Sequence, residues 1–351
     1  MKKLMNVLFV FIPLAFLAEF LHWGEATIFI LSALAIIPVA GLMGEATEHL
    51  SEKTGPGVGA LLNATFGNAT ELIIALFALQ KGLHEIVRAS ITGSIIGNIL
   101  FVFGASIIAG GMKHKEQKFG KQSNNIGVAL LFLSSISLIM PTIFHMTVKN
   151  VSDSRQHTLS FAVAIVLFIS YVCYMFFSLK THKDLFRGEE GIEDVSKDVW
   201  SLKKSIGLLV LATVGVAFIS EFLVGSVEHV AKQWGMSEVF IGVFLLAVLG
   251  NAAEHSTAVI VAMKDKMDLA TQIAIGSSTQ IALLVTPILV FTSNIFWQPM
   301  DLIFNPLEAI AIGLSVAIVT MVTYDVKTHW MEGVSLLGAY AIFGIMFYFH
   351  P

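Results

Sequence analysis

A chain of 351 residues would ordinarily divide into two or three soluble domains of about 100 to 200 residues each. Composition excludes that: 56% of residues are hydrophobic and 13% charged, with a mean hydropathy of +0.80, against roughly 45 to 50% apolar and about 25% charged in a soluble domain. The same figures exclude a disordered chain, the single Cys173 permits no intrachain disulfide, and a net charge of -4 offers none of the clustered basic surface that nucleic acid requires. The chain reads as an all-α polytopic membrane protein with the lipid bilayer as its main partner.

A span needs about 20 mostly apolar residues to cross roughly 30 Å of hydrocarbon. In chain order the apolar runs predict eleven transmembrane helices: 4–22, 25–50, 57–80, 84–112, 125–148, 158–179, 203–231, 238–262, 268–294, 302–323 and 330–350. The first has Lys2 and Lys3 ahead of it in the manner of a signal peptide. No small-x-small cleavage site follows Phe16-Leu17-Ala18-Glu19, so it is expected to be retained as a helix. Sixteen of the 21 Lys and Arg residues fall on the side of the N-terminus and five on the other. That asymmetry places the N-terminus in the cytoplasm and, with an odd number of spans, the C-terminus outside.

The chain also contains itself twice. Gly67-Asn68-Ala69-Thr70-Glu71 in the third span and Gly250-Asn251-Ala252-Ala253-Glu254 in the eighth are 183 residues apart, and Gly93-Ser94 answers Gly276-Ser277 at the same offset. In the span before each motif, Glu48-His49-Leu50 answers Glu228-His229-Val230 at an offset of 180. The division is therefore a leading helix (1–24), a five-helix repeat (25–179), a linker (180–202) and a second five-helix repeat (203–351). Because five is odd, the second copy enters from the opposite side, which gives the inverted repeats of many secondary transporters, with the binding site near the midplane where helices are interrupted. The linker is cytoplasmic and acidic, through Asp184, Glu189, Glu190, Glu193, Asp194 and Asp198. It reads as a solvated connector, with a regulatory calcium-binding segment as the alternative.

Glu71 and Glu254 fall near the centres of long apolar spans, where an ionised carboxylate costs about 2.5 to 3.5 kcal/mol on insertion scales, and such residues are functional candidates by default. Positions i and i+3 share a helical face, so Asn68 with Glu71 and Asn251 with Glu254 are expected to present an amide oxygen and a carboxylate together. Gly67 and Gly250 weaken the helix beside them and free carbonyl oxygens. An all-oxygen nest with two anionic ligands suits a hard cation such as calcium, whereas zinc or copper would call for His or Cys. Ser94 and Asn98 in one half, and Ser277 and Gln280 in the other, offer neutral oxygens that either complete the shell or join helices. His255 breaks the repeat, standing where the first half has Leu72. An imidazole there is either a proton carrier or a structural hydrogen-bonding group. His49 and His229 read as interfacial residues.

The paired motifs Gly67-Asn68-Ala69-Thr70-Glu71-Leu72 and Gly250-Asn251-Ala252-Ala253-Glu254-His255 resemble the signature sequences of the calcium/proton antiporters, the CAX branch of the calcium/cation antiporter superfamily. The resemblance covers nearly the whole chain, including the acidic linker and the segments Gly93-Ser94-Ile95-Ile96-Gly97-Asn98 and Gly276-Ser277-Ser278-Thr279-Gln280. It implies that Glu71 and Glu254, assisted by Asn68 and Asn251, bind calcium and exchange protons. It further assigns His255 to transport and Glu48 and Glu228 to cation access, with calcium as transported substrate rather than cofactor. The chain lacks the long N-terminal extension of plant members and looks bacterial, which favours the cell membrane.

Two like charges in a poorly hydrated site cannot both stay ionised when it is empty, while a divalent cation between them allows both to ionise. Exchange of one calcium for about two protons is the minimal reading. The rival within transport is a sodium/calcium exchanger of the same superfamily. A membrane-embedded metal hydrolase would need a zinc set such as HExxH, and none occurs, so no catalytic or cofactor-binding residues are expected. A homo-oligomer is compatible with the sequence.

Overall fold

The computed structural model describes residues 7–54, 56–148, 151–185 and 200–350. Lys2, Lys3 and the acidic linker residues Glu189, Glu190, Glu193, Asp194 and Asp198 lie outside the described residues. Hydropathy dictates helix after helix, because in hydrocarbon each backbone N–H and C=O must be satisfied within its own segment. The chain runs α1 (Phe11–Phe20), α2 (Glu25–Thr54), α3 (Pro56–Phe66), α4 (Ala69–Gln80), α5 (His84–Gly111), β1 (Gln117–Lys118), α6 (Lys121–Thr147) and α7 (Asp153–Thr181). After the linker come α8 (Leu202–Trp234), α9 (Glu238–Gly250), α10 (Ala252–Met263), α11 (Met267–Ile295), α12 (Pro306–Val322), β2 (Lys327–Thr328) and α13 (Trp330–Phe349).

Among the described residues, seven helices (α2, α5, α6, α7, α8, α11 and α13) are long and apolar enough to cross a membrane, or eight if α9 and α10 count as one span bent by 63°. The protein is a polytopic helical membrane protein. The predicted span 57–80 is two helices, α3 and α4, parted at Gly67 and Asn68. The predicted span 302–323 begins late: α12 starts at Pro306, with Asn305 as its cap and Glu308 closing a capping box. Leu302 and Phe304 precede the helix as buried loop, their amides donating to Ser160 Oγ and Thr142 Oγ1, both at 2.9 Å. Proline favours the first helical position, where its missing N–H costs nothing, so the helix starts there rather than at the first apolar residue.

α5 and α11 form the centre. Their most apolar stretches are 83% and 72% buried inside the protein, against 22% for α7 and α13. Side chains on α5 and α11 therefore face protein instead of lipid, which is why these two helices tolerate Ser, Thr, Asn and Gln. α2 and α8 pack along each other more extensively than any other pair. α5 and α9 approach backbone to backbone: a Cβ on Gly93 would collide with the Val243 carbonyl, and one on Gly242 with Ala89 and the Ile86 carbonyl. Small residues permit such approach inside membranes, and here it draws Ser94 towards Asn251.

Candidate functional site

The site is built at two helix breaks. α3 ends at Phe66 and α4 begins at Ala69, with Asn68 at φ -109°, ψ 22° between them; α9 ends at Gly250 and α10 begins at Ala252, with Asn251 at φ -96°, ψ 4°. Asn68 and Asn251 are therefore not enclosed in a continuous helix with their glutamates. Each Asn stands at a helix entrance, and each Glu lies in the first turn of a new helix. The unsatisfied N–H groups of a first turn carry partial positive charge, so they favour a carboxylate in a place lipid would otherwise penalise.

The two motifs interlock. The Glu71 side chain lies on Gly250, where a Cβ would sit 3.2 Å from its Cγ and Oε1, and Glu254 Oε1 lies 3.4 Å from the place of a Cβ on Gly67. Each glycine is thus a seat for the carboxylate of the other motif, a role the sequence did not disclose. Glu71 is buried and Glu254 partly so by residue accessibility. Replacing Gly250 with Ala should push the Glu71 carboxylate aside by a few tenths of an ångström without touching backbone. The expected result is a folded protein in which a cation expected between the two carboxylates binds on the order of tenfold more weakly, read by calcium titration beside a melting curve. Gly67→Ala is expected to be worse for folding, since its Cβ would meet the Asn63 carbonyl oxygen at 2.6 Å.

Around the carboxylates runs a directional chain of hydrogen bonds. Asn98 Nδ2 donates to Ser277 Oγ at 3.1 Å, the Ser277 hydroxyl donates to Asn68 Oδ1 at 2.9 Å, and Asn68 Nδ2 donates to Gln280 Oε1 at 2.5 Å. Asn98 Oδ1 then faces His255 Nε2 at 3.1 Å, which places a hydrogen on that ring nitrogen. Phe101 lies edge-on to the imidazole at 6.2 Å. Asn251 Nδ2 donates to the Ala247 carbonyl at 2.9 Å and to Ser94 Oγ at 3.4 Å. Asn98 lies in a π-helical turn of α5 (Gly97–Val102), and the π-helical turns Ile281–Val285 and Ile241–Leu246 follow Gln280 and precede Gly250. Such turns re-aim side chains at functional places and have no simple sequence signal.

Four oxygens of this cluster are buried without a hydrogen-bond partner among the described residues: Glu71 Oε1 and Oε2, Glu254 Oε2 and Asn251 Oδ1. Buried polar atoms are nearly always paired, so an unpaired set of acceptors calls for a proton or a cation. The donor set is all oxygen, as hard cations prefer. Among the described residues no three His, Cys, Asp or Glu side chains gather as a metal site; two carboxylates with neutral oxygens suit an ion that must leave again. Asn68, expected to offer its oxygen, has given it to Ser277.

Of the residues singled out from sequence, Gly67, Asn68, Glu71, Ser94, Asn98, Gly250, Asn251, Glu254, His255, Ser277 and Gln280 come together. Glu48 and Glu228 do not; they are exposed near the C-terminal ends of α2 and α8. The His49 ring lies tilted against Trp200 at 4.5 Å, whose ring also receives Lys204 Nζ at 4.3 Å, while His229 is exposed. Sequence reading passed over one buried carboxylate, Glu308, whose Oε2 accepts from the Asn305 amide at 2.8 Å. The spacing Asn305-x-x-Glu308 was the available signal, and it marks a helix start.

A helical bundle of this kind, with paired carboxylates at two helix breaks in its interior, defines a polytopic membrane transporter. The chain belongs to the sodium/calcium exchanger protein family, which it matches over residues 25–180 and again over 204–349. It is 45% identical to a Ca(2+)/H(+) antiporter of Aphanothece halophytica, covering 98% of this chain and 96% of that one, and 42% identical to the Ca(2+)/H(+) antiporter ChaA of Bacillus subtilis, covering 96% of each. Among solved structures, the Ca2+/H+ antiporter protein YfkE superposes with a TM-score of 0.84 at 38% identity, covering 99% of this chain and 100% of that one.

Proposed function

We propose that this protein is a secondary active transporter that exports calcium from the cytoplasm in exchange for protons by alternating access. The observation that carries the reading is the set of unpartnered buried oxygens on Glu71, Glu254 and Asn251. Calcium bridges the two carboxylates in one loaded form, and protons neutralise them in the other. Asn251 Oδ1 and carbonyl oxygens near Gly67 and Gly250 complete the shell, and Asn68 joins it when Ser277 turns its hydroxyl elsewhere. Ser94, Asn98, Ser277 and Gln280 hold the amides in place. His255 serves proton transfer beside Glu254, while Glu48 and Glu228 draw cations to the mouths of the path. Only the two neutral, loaded forms cross, since the empty site with both carboxylates ionised is a buried, uncompensated charge. One calcium then exchanges for two protons at minimum.

The architecture in this reading is one leading helix and two inverted five-helix repeats, eleven spans in all, in the cell membrane with the N-terminus cytoplasmic and the C-terminus outside. Two separate family matches, one on either side of the linker, support a chain of two like halves. The protein is a carrier rather than an enzyme, and calcium is its cargo. The relatives named as Ca(2+)/H(+) antiporters support protons over sodium as the coupling ion. The test is calcium uptake into everted vesicles under an imposed pH gradient and, separately, a sodium gradient. Uptake driven by pH alone is expected, and uptake driven only by sodium would replace this reading with a sodium/calcium exchanger.

A further inference from the structure

The loop that joins α5 to α6 belongs to the first half of the chain, yet it grips the second. Its strand β1 pairs antiparallel with β2, Gln117 opposite Thr328, and the Phe119 amide donates to the Val326 carbonyl at 3.3 Å. Pinned in this way, Gln117 is 2% exposed, and its Nε2 donates to the Ala262 carbonyl and to Asp265 Oδ1, each at 2.9 Å. Three residues on, the Gly120 amide donates to Asp268 Oδ1 at 2.9 Å, at the start of α11. Room for the glutamine is made by Gly110, where any Cβ would collide with the Gln117 side-chain oxygen.

Ala262 is in the last turn of α10, and Glu254 is in its first. The last four carbonyls of a helix have no donor within it; the Ala262 carbonyl takes the Asp265 amide at 3.1 Å from the turn that follows, and Gln117 adds a second donor from the other half. A helix of 12 residues is a rod of about 18 Å, so holding one end along its axis holds the other. The other half offers a parallel. Gln298, in the loop joining α11 to α12, lies against Gly82 just past the end of α4, where a Cβ would meet its Oε1 at 3.5 Å. Each glutamate-bearing half-helix thus abuts, at the end remote from its glutamate, a glutamine from a loop of the opposite half.

We propose that Gln117 is a positioning residue of the ion site: it clasps the cytoplasmic end of α10 and so keeps Glu254 opposite Glu71. This rests on the reading of Glu254 as a cation ligand. Gln117→Glu keeps the shape of the side chain, removes both donors and sets a carboxylate against Asp265. In the full-length protein reconstituted in proteoliposomes, it is expected to raise the calcium KM about tenfold, the scale of one or two lost hydrogen bonds, with the maximal rate little changed and the melting temperature lowered, because the new carboxylate is buried against two acceptors. Adding Asp265→Asn, which supplies an amide donor from the other side, should return the KM most of the way to wild type, whereas Asp265→Asn alone keeps an acceptor for Gln117 and should be near neutral. Should Gln117→Glu fail to insert, Gln117→Met is read in the same way. An unchanged KM, a loss of melting temperature or maximal rate without a change in KM, or a double variant no better than the single would each overturn the proposal. Glu254→Gln run alongside separates the two ideas: if it transports normally, the site assignment has failed and not the clasp alone.

Discussion

Glu71→Gln and Glu254→Gln are each expected to abolish calcium/proton exchange in a protein that still inserts. The amide keeps the size of the carboxylate and its seat on the glycine of the other motif, so packing is preserved. What disappears is one of two negative charges, and a divalent cation held by the single remaining one leaves a net charge buried in the bundle. Breaking one partner of a buried charge pair costs about 3 to 5 kcal/mol, which at 1.4 kcal/mol per decade is roughly a 10²- to 4 × 10³-fold loss of calcium binding. Proton return is impaired too, since an amide cannot take up and release a proton. Flux in proteoliposomes under a pH gradient, with monodisperse elution in detergent as the check on folding, measures this. Wild-type flux in either variant would remove both residues from the site.

Calcium affinity is expected to fall steeply as the solution is acidified. Metal ligands must be deprotonated to bind, so each proton that occupies a carboxylate displaces calcium. The sign follows directly: lowering pH adds protons to the calcium-free protein, and binding calcium then has to expel them. If two protons leave per calcium, the apparent affinity changes by up to about 100-fold per pH unit in the acidic range. Binding in weak buffer should release protons that a pH electrode records. Titration at several pH values, with sodium or an inert cation at constant ionic strength, separates this from the rival. An affinity that ignores pH but drops with sodium would establish sodium as the competitor.

Much of the site was legible because it is written in chemistry that lipid forbids elsewhere. A glutamate amid apolar residues stands out whatever its neighbours, and two in matching pentapeptides 183 residues apart stand out more. Less legible was the way those residues meet. Asn68 and Asn251 looked alike in sequence, yet in the structure Asn68 gives its oxygen to Ser277 while Asn251 Oδ1 is left unpaired. The difference arises from the side chains that α5 and α11 bring up, with Asn98 at one place and Gln280 at the other. No rule of local spacing reaches across that distance.

Helical segments, their approximate ends, the paired motifs and the two carboxylates were legible in the sequence alone, because hydropathy and motif repetition are written along the chain itself. Tertiary structure decided where the third and eighth predicted spans break, so that each glutamate begins a helix. It decided as well that Gly250 and Gly67 seat the opposite carboxylates, that Glu48 and Glu228 stand apart from them, and that Gln117 holds the far end of α10. Each of these is a contact between residues that are remote in sequence, and the energy of such contacts depends on distances of a few tenths of an ångström that only the packed helices set.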